Sequence, residues 1–133
     1  MAVYHSDITR NEITDLVVDK IDISGPGKLK FLNTAGTTIS TLLFSNPAFQ
    51  QSGVVGTGGG AATVGLAYAN AITDSVCIDG IISKFIVTNG ADVVVFGGTV
   101  SIANGGGNII LSSVDMNAND TISVSALTYT APQ

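Results

Sequence analysis

The side chains best suited to chemistry lie in the segment 115–120. Asp115, Asn117 and Asn119 follow the D-x-N-x-N spacing that opens a calcium-binding loop, where alternate side-chain oxygens converge on a hard cation. Two positions depart from that loop, because Asp120 replaces its glycine and Ala126 replaces its bidentate glutamate. A polar hairpin turn explains the same residues, since Asn and Asp bond their own backbone and tolerate left-handed conformations. These three residues are the best metal candidate, but we expect the turn and no bound metal.

Nucleophilic and phosphate-binding chemistry lack the residues they require. His5 is the only histidine and Cys77 the only cysteine, so a Cys-His nucleophile would need these two distant residues to meet. The segment 53–60 holds five of the sixteen glycines, but neither a Lys-Ser/Thr pair nor a helical pattern follows it, as a phosphate loop needs. We expect Cys77 to be a small buried hydrophobe and 53–60 to be an exposed loop or a segment ordered by a neighbour.

Scattered aspartates are the remaining candidates for acid–base chemistry. Glycosidases place two carboxyl groups on either side of a sugar bond. A sugar-stacking cleft is a poor expectation here, because the chain has no tryptophan and only 6% aromatic residues. The sequence therefore predicts that the protein is not an enzyme and carries no cofactor. The carboxylates considered for a pair are Asp74, Asp79, Asp92, Asp115 and Asp120.

Charge and hydropathy narrow the classes of partner. Only 11% of the residues are charged, against roughly 25% in an ordinary soluble domain, and the net charge is -5. Nucleic-acid binding needs clustered Lys and Arg, which this chain lacks, so we expect none. No apolar run of about 18 residues and no signal-peptide pattern is found, which predicts no membrane span and synthesis in the cytoplasm. A neutral surface of small polar residues suits permanent contact with other subunits.

One segment, residues 8–21, has helical periodicity. Thr9 and Glu12 fit a capping box, and Ile8 and Ile13 fall at the two positions of a hydrophobic staple. A Gly-Pro-Gly sequence at 25–27 ends the helix. The apolar stripe expected to face the core consists of Ile13, Leu16, Val17 and Ile21.

The rest of the chain reads as strands and turns. Asn89-Gly90 lies between two apolar segments and predicts a hairpin with a type I′ turn. Apolar runs at 81–82 and 93–96 predict strands covered on both faces. About seven or eight short strands at spacings near ten residues favour an all-β fold, a β-sandwich of jelly-roll type, over a parallel sheet. We expect one domain, 1–133, in which the helix 8–21 precedes a sandwich over 27–133.

Several motifs resemble those of short virion proteins from tailed bacteriophages. The shared landmarks are the Arg-Asn step at 10–11, Gly-Lys-Leu-Lys at 27–30, Leu-Leu-Phe-Ser-Asn-Pro-Ala-Phe at 42–49, Asn-Ala-Ile-Thr at 70–73, and a Thr/Ser-Val-Ser strand ending near proline at 122–132. The likeness covers most of the chain. The glycine run at 53–60 and a missing Ala/Thr-rich spacer after the first strand depart from the pattern.

The resemblance implies a jelly-roll capsid decoration or cement protein. Its expected location is the outer surface of the virion capsid, and its expected partners are the major capsid protein and further copies of itself, as a dimer or trimer. Attachment would come from the leading helix or the glycine-rich segment. The alternative function is a tail or head-fibre module that binds a host receptor, with the same fold and with loops as the contact surface.

Overall fold

The computed structural model describes residues 6–45, 48, 66–68, 72–74, 77–124 and 127–130. Within these ranges the chain forms one helix and eleven short strands, so the expectation of a mostly β chain with one leading helix is confirmed. The elements are α1 (Asp7–Ile21), β1 (Lys28–Leu32), β2 (Thr38–Leu43), β3 (Leu66–Tyr68), β4 (Ile72–Asp74), β5 (Gly80–Ile81), β6 (Lys84–Thr88), β7 (Val94–Ser101), β8 (Ile109–Ile110), β9 (Asp115–Met116), β10 (Ile122–Val124) and β11 (Thr128–Thr130).

The helix begins at Asp7, so its cap lies earlier in the chain than the Thr9 cap predicted from the sequence. Ser6 is the N-cap, and its hydroxyl accepts a hydrogen bond from the backbone amide of Thr9 at 3.3 Å. The predicted capping box of Thr9 and Glu12 is therefore wrong, because Thr9 already lies inside the helix. The staple is wrong for the same reason, since Ile8 is a helical residue with 72% of its surface exposed.

The buried face of α1 is also rotated from the expected stripe. Thr14, Val18 and Ile21 are buried, whereas Leu16 is 60% exposed. These three residues recur at i, i+4 and i+7, which is one face of a helix. A threonine occupies a core position here, so an apolar count alone places the stripe on the wrong residues.

The largest element is a curled, mixed sheet of five strands in the order β2-β1-β6-β7-β8. All neighbours are antiparallel except β7 and β8, which are parallel. Three two-stranded ribbons accompany it: β10-β4, β11-β3 and β5-β9. Along β1, the lysines alternate with the buried Leu29 and Phe31, so one face of the sheet carries lysines and the other faces the core.

The two hairpins of the large sheet repeat each other. Lys28 pairs with Leu43 across β1 and β2, while Lys84, 56 residues later, pairs with Thr99, itself 56 residues after Leu43. Every register pair of β1 with β2 has such a counterpart between β6 and β7, including the register shift near the end of β1. This relation is hard to see in the sequence, because most equivalent positions carry different side chains; Lys28 and Lys84, and Asn33 and Asn89, are exceptions.

A pseudo-two-fold axis relates these hairpins and the outer ribbons. Lys30 lies opposite Ile86 where β1 pairs with β6, and these residues are equivalent at the same offset. The offset also carries β3 onto β10 and β4 onto β11. Accordingly β3 pairs with β11 and β4 pairs with β10. Eight of the eleven strands thus form two intertwined units, a first repeat (β1 to β4) and a second repeat (β6, β7, β10 and β11).

An asparagine begins the turn of each hairpin. The Asn33 amide donates to the Thr37 carbonyl at 3.0 Å, and its side-chain Oδ1 accepts from the Thr37 amide at 2.9 Å. Asn89 makes the same two bonds with Val93, at 2.9 and 3.0 Å. Asparagine suits this position because its side chain bonds the backbone further along the turn.

The hairpin predicted around Asn89-Gly90 is therefore present, but its type I′ turn is wrong. Five residues separate β6 from β7, and the positive φ of 64° falls on Asp92. Gly90 is needed for space instead. A Cβ at this position would lie 2.2 Å from the Ser24 carbonyl oxygen, and the Gly90 amide donates to the Ile23 carbonyl at 2.9 Å. The glycine lets the hairpin end pack against the chain that leaves α1.

The core is continuous across the helix, the sheet and the ribbons. Val18 and Ile21 of α1 belong to the same buried cluster as Phe31 of the sheet, and Ile72 and Ile122 of the ribbons join it. The prediction that 93–96 and 81–82 are covered on both faces is wrong. Val93 and Val94 are 59% and 56% exposed, and Ile81 is 60% exposed next to the buried Ile82.

Candidate functional site

The segment singled out as a calcium candidate forms a strand end and a turn. Asp115 lies in β9, and Asn117 and Asn119 lie in the turn that follows. The carboxylate of Asp120 accepts a hydrogen bond from the Asn117 amide at 2.8 Å, and the carboxylate of Asp79 accepts one from the Ala118 amide. Asn119 has a φ of 67°. The expected turn is present and these aspartates shape it, while the absence of a bound metal at Asp115, Asn117 and Asn119 stays a prediction.

The remaining chemical candidates are separated or lie outside the described residues. His5 and the glycine run 53–60 fall outside them. Within the described ranges, no three His, Cys, Asp or Glu side chains are close enough together to hold a metal ion. Cys77 is 2% exposed, which fits the expected buried hydrophobe, and its carbonyl accepts from the Asn119 amide at 2.7 Å.

One of the aspartates considered for a carboxylate pair, Asp74, lies where β2 meets β4. Asp74 is 8% exposed, and its Oδ2 accepts hydrogen bonds from the Ser40 hydroxyl at 2.6 Å and the Thr41 amide at 3.3 Å. The thiol of Cys77 lies 3.9 Å from the same oxygen. Nearby, the Ile78 amide donates to the Ile39 carbonyl at 3.0 Å. We call the contacts of Ser40, Thr41 and Cys77 with Asp74 the polar seam. They join β4 to β2, the edge strand of the curled sheet.

The equivalent edge in the second repeat is aromatic. Phe96 of β7 stands 56 residues after Ser40, and its ring lies 5.1 Å from the ring of Tyr129 on β11. Phe85 packs edge-on against Phe96 with centroids 6.3 Å apart. A cavity of about 280 Å³ opens beside these rings and is lined also by Asn108 and Leu127. The two seams occupy matching places in the fold but differ in chemistry.

Two lysines share one carboxylate on the outer face of the sheet. Lys28 Nζ lies 2.8 Å and Lys30 Nζ 3.1 Å from Asp92 Oδ1. The hydrogen bonds from Lys28 and Lys30 hold the pKa of Asp92 below its usual value. These lysines lie on a central strand, between β2 and β6. They leave this face with a net positive charge.

A second carboxylate fastens the end of the helix. Asp22 Oδ1 accepts a hydrogen bond from the Ala48 amide at 2.8 Å. Burial raises the pKa of Asp22, the bond from Ala48 opposes that change, and the neighbouring Asp19 adds to it. Ala48 is fully buried in the core cluster, so Asp22 ties the segment after β2 to the C-terminus of α1.

The surface carries many exposed apolar side chains. Among the described residues, ten large apolar side chains are between 47% and 72% exposed. They occur on the helix, on the outer face of the sheet and around its loops. Across the described ranges, no helix has the length and apolar character needed to cross a bilayer. The ten residues are Ile8, Leu16, Ile23, Leu43, Ile78, Ile81, Val93, Val94, Ile102 and Ile110.

The arrangement is therefore better suited to contact with other macromolecules than to enclosing a small substrate. The sequence missed the surface for a simple reason: Leu16 and Val94 match the patterns of core residues, and only the fold turns them outward. The polar seam was missed because Ser40 and Asp74 are 34 residues apart in the chain.

Comparison with protein-family models, curated proteins and solved structures found no match to this chain.

Proposed function

We propose that the protein is a structural virion component of a tailed bacteriophage, a decoration or cement subunit that binds and stabilises the outer surface of the head shell. The observation that carries the proposal is the surface described above. Among the described residues, ten large apolar side chains are about half exposed or more, on a chain in which only 11% of residues are charged. Exposed apolar side chains that lie together, as Val93 and Val94 do, mark contact with other macromolecules.

The energetics suit a shell built of many equivalent positions. Burying apolar surface contributes roughly 25 cal/mol per Å², so covering a few exposed side chains gives each copy a modest affinity. Many symmetry-related copies that bridge neighbouring capsid subunits add their contributions. The proposed partners are the major capsid protein and further copies of this chain. No enzymatic activity is part of the proposal.

We further propose that the fold is a jelly-roll-like sandwich. In this view the four antiparallel strands of the large sheet form one layer, and the ribbons of β4 with β10 and β3 with β11 form the second. The shared core supports it, because Ile72 and Val124 of the ribbons belong to the same buried cluster as Leu29 and Val87 of the sheet. Two sheets that face each other across one core define a sandwich.

The copy number of the protein in the virion tests the function. Virions of the phage that encodes the chain should be purified, separated gently into heads and tails, and analysed by quantitative mass spectrometry. We expect hundreds of copies in the head fraction, as repeated binding positions on the shell require. A handful of copies in the tail fraction would favour the receptor-binding alternative, and absence from virions would refute both.

A binding assay tests the contact itself. Ile102→Ser and Ile110→Ser remove two apolar side chains that are each about half exposed. The double variant should bind purified heads lacking this protein more weakly than the unchanged chain. Ser112→Ala, on the same segment, is the matched control and should bind normally. Unchanged binding by the double variant would show that this surface is not the contact.

A further inference from the structure

The outer face of α1 mixes apolar and acidic side chains. Ile8, Leu16 and Ile23 are exposed, and so are Glu12 and Asp19 between them. At 3.6 residues per turn Ile8, Glu12, Leu16 and Asp19 fall within one stripe of α1, and Ile23 follows just beyond the C-cap Asp22. The stripe lies opposite Thr14, Val18 and Ile21, which enter the core. We call these five exposed residues the acidic helix face.

The outer face of the large sheet mixes apolar and basic side chains. Lys28 and Lys30 of β1 and Lys84 of β6 alternate with residues that face the core. Leu43 pairs with Lys28 and is 58% exposed, and Val94 lies at the other margin with 56% exposed. We call these five residues the basic sheet face.

Positive and negative side chains therefore lie on different faces of a protein in which only 11% of residues are charged. Counting α1 and its C-cap Asp22, five carboxylates and two basic side chains give a net charge of -3. On the basic sheet face, three lysines and their partner Asp92 give a net charge of +2, although the whole chain carries -5. Val18 and Ile21 of α1 enter the same core as Leu29 and Phe31 of the sheet, so the acidic helix face and the basic sheet face are two separate surfaces.

We propose that copies of this chain associate head to tail, with the acidic helix face of one copy bound to the basic sheet face of the next. Both faces have exposed apolar side chains, and the two faces carry charges of opposite sign. Apolar contacts and ion pairs can therefore form together where the faces meet. A contact between two different surfaces is heterologous, and it forms closed rings or open rows. The arrangement would let subunits on a shell contact one another laterally.

The spacing of the charges is compatible on the two faces. Glu12 and Asp19 are seven residues apart, which is roughly 10 Å along a helix. Lys30 and Lys84 are two residues and one strand apart, roughly 8 Å across a sheet. A 15-residue helix is roughly 22 Å long and 10 Å wide, so its contact area falls well below the roughly 800 Å² per partner of a stable dimer. The association is accordingly weak and sensitive to salt.

Charge reversal tests this contact on the isolated protein. Sedimentation velocity should be measured over a range of concentrations at low and high salt. The unchanged chain should show a mass that rises with concentration and falls on adding salt. Glu12→Lys and Lys84→Glu should each sediment as monomers, because each puts like charges at the contact. An equimolar mixture of the two variants should associate again, since the reversed helix face meets a reversed sheet face.

Two controls make the result decisive. Asp115→Lys changes the net charge as Glu12→Lys does but lies on neither face, so it should associate normally. Circular dichroism should show that the variants remain folded. The inference is overturned if the unchanged chain stays monomeric, if Asp115→Lys loses association equally, or if the mixture fails to restore it. Because no virion is involved, failure here leaves the proposed binding to the head shell standing.

Discussion

The Ser40 hydroxyl lies 2.6 Å from the carboxylate of Asp74, and this buried hydrogen bond joins the large sheet to an outer ribbon. The Thr41 amide donates to the same oxygen. No sheet ladder connects β2 to β4, so the carboxylate takes the place of backbone pairing at this edge. The corresponding edge of the second repeat uses the ring contact of Phe96 with Tyr129.

Removing this carboxylate should destabilise the fold. Asp74→Ala leaves the Ser40 hydroxyl and the Thr41 amide without their acceptor, which costs about 1–3 kcal/mol when such groups are buried. Urea unfolding followed by circular dichroism measures the difference. Thr73→Ala, at the exposed neighbouring position, should change stability little. Equal stability of Asp74→Ala and the unchanged chain would mean that water replaces the carboxylate.

The orientation of α1 can be checked with two substitutions on opposite faces. Ile21→Ala removes a fully buried side chain and should lower the free energy of unfolding by about 2–5 kcal/mol. Leu16→Ala removes an exposed one and should change it by no more than about 0.5 kcal/mol. Both are measured by urea unfolding at low protein concentration, where copies do not associate. Equal losses from both substitutions would instead support the stripe predicted from the sequence, which places Leu16 in the core together with Ile21.

The two asparagine turns should differ in a defined way. Asn33→Ala loses one side-chain bond, to the Thr37 amide, and should cost about 0.5–1.5 kcal/mol. Asn89→Ala loses two, to the amides of Ala91 and Val93, and should cost roughly twice as much. Asn→Asp at each position keeps the acceptor and serves as the matched variant. Chemical denaturation ranks the four proteins, and equal costs for both alanine variants would argue against these hydrogen bonds as the cause.

Acid should weaken the fold partly through Asp92. Lys28 and Lys30 favour its ionised form, so its folded pKa lies below the usual 3.8. Its stabilising contribution is complete above that usual value and is lost as pH falls through the folded pKa. Asp92→Asn should therefore be less stable than the unchanged chain at pH 7, and the difference should vanish at strongly acidic pH.

Urea midpoints measured between neutral and acidic pH follow this difference. Asparagine is the suitable replacement, because Asp92 has a φ of 64° and asparagine tolerates that conformation. Asp115→Asn, at an exposed position of β9, controls for the loss of one carboxylate. A gap between Asp92→Asn and the unchanged chain that persists undiminished in acid would rule out the shared ion pair as its source.

Local features of this chain follow from its sequence far better than its pairings do. The helix 8–21, the alternation along β1 and the hairpin after Asn89 depend on nearby residues, and the structure confirms them. The predicted type I′ turn is wrong because an Asn-Gly pair favours that turn without requiring it. Here the glycine is explained by its close packing against Ser24. In the described part of 122–132, the expected Thr/Ser-Val-Ser strand appears as the two short strands β10 and β11.

The repeat and the surface could not be predicted from one sequence. Lys30 and Ile86 occupy equivalent places, yet one is charged and the other apolar. Backbone pairing preserves the repeat, while the side chains have different neighbours in each half. The exposed face of α1 was assigned to the core because Leu16 has the right type at a plausible spacing. A side chain is buried only if another element packs against it, and the residues of that element are far away in the chain.

Two outer ribbons each pair a strand of the first repeat with a strand of the second, and this pairing affects how the chain folds. Among the described residues, β3 pairs with β11 and β4 with β10, so within that part of the chain neither repeat pairs its outer strands by itself. During synthesis β3 and β4 must wait until β10 and β11 have left the ribosome. Pairings this distant in sequence slow folding. They also mean that two separately produced fragments, divided near residue 79, should recognise each other and rebuild the molecule.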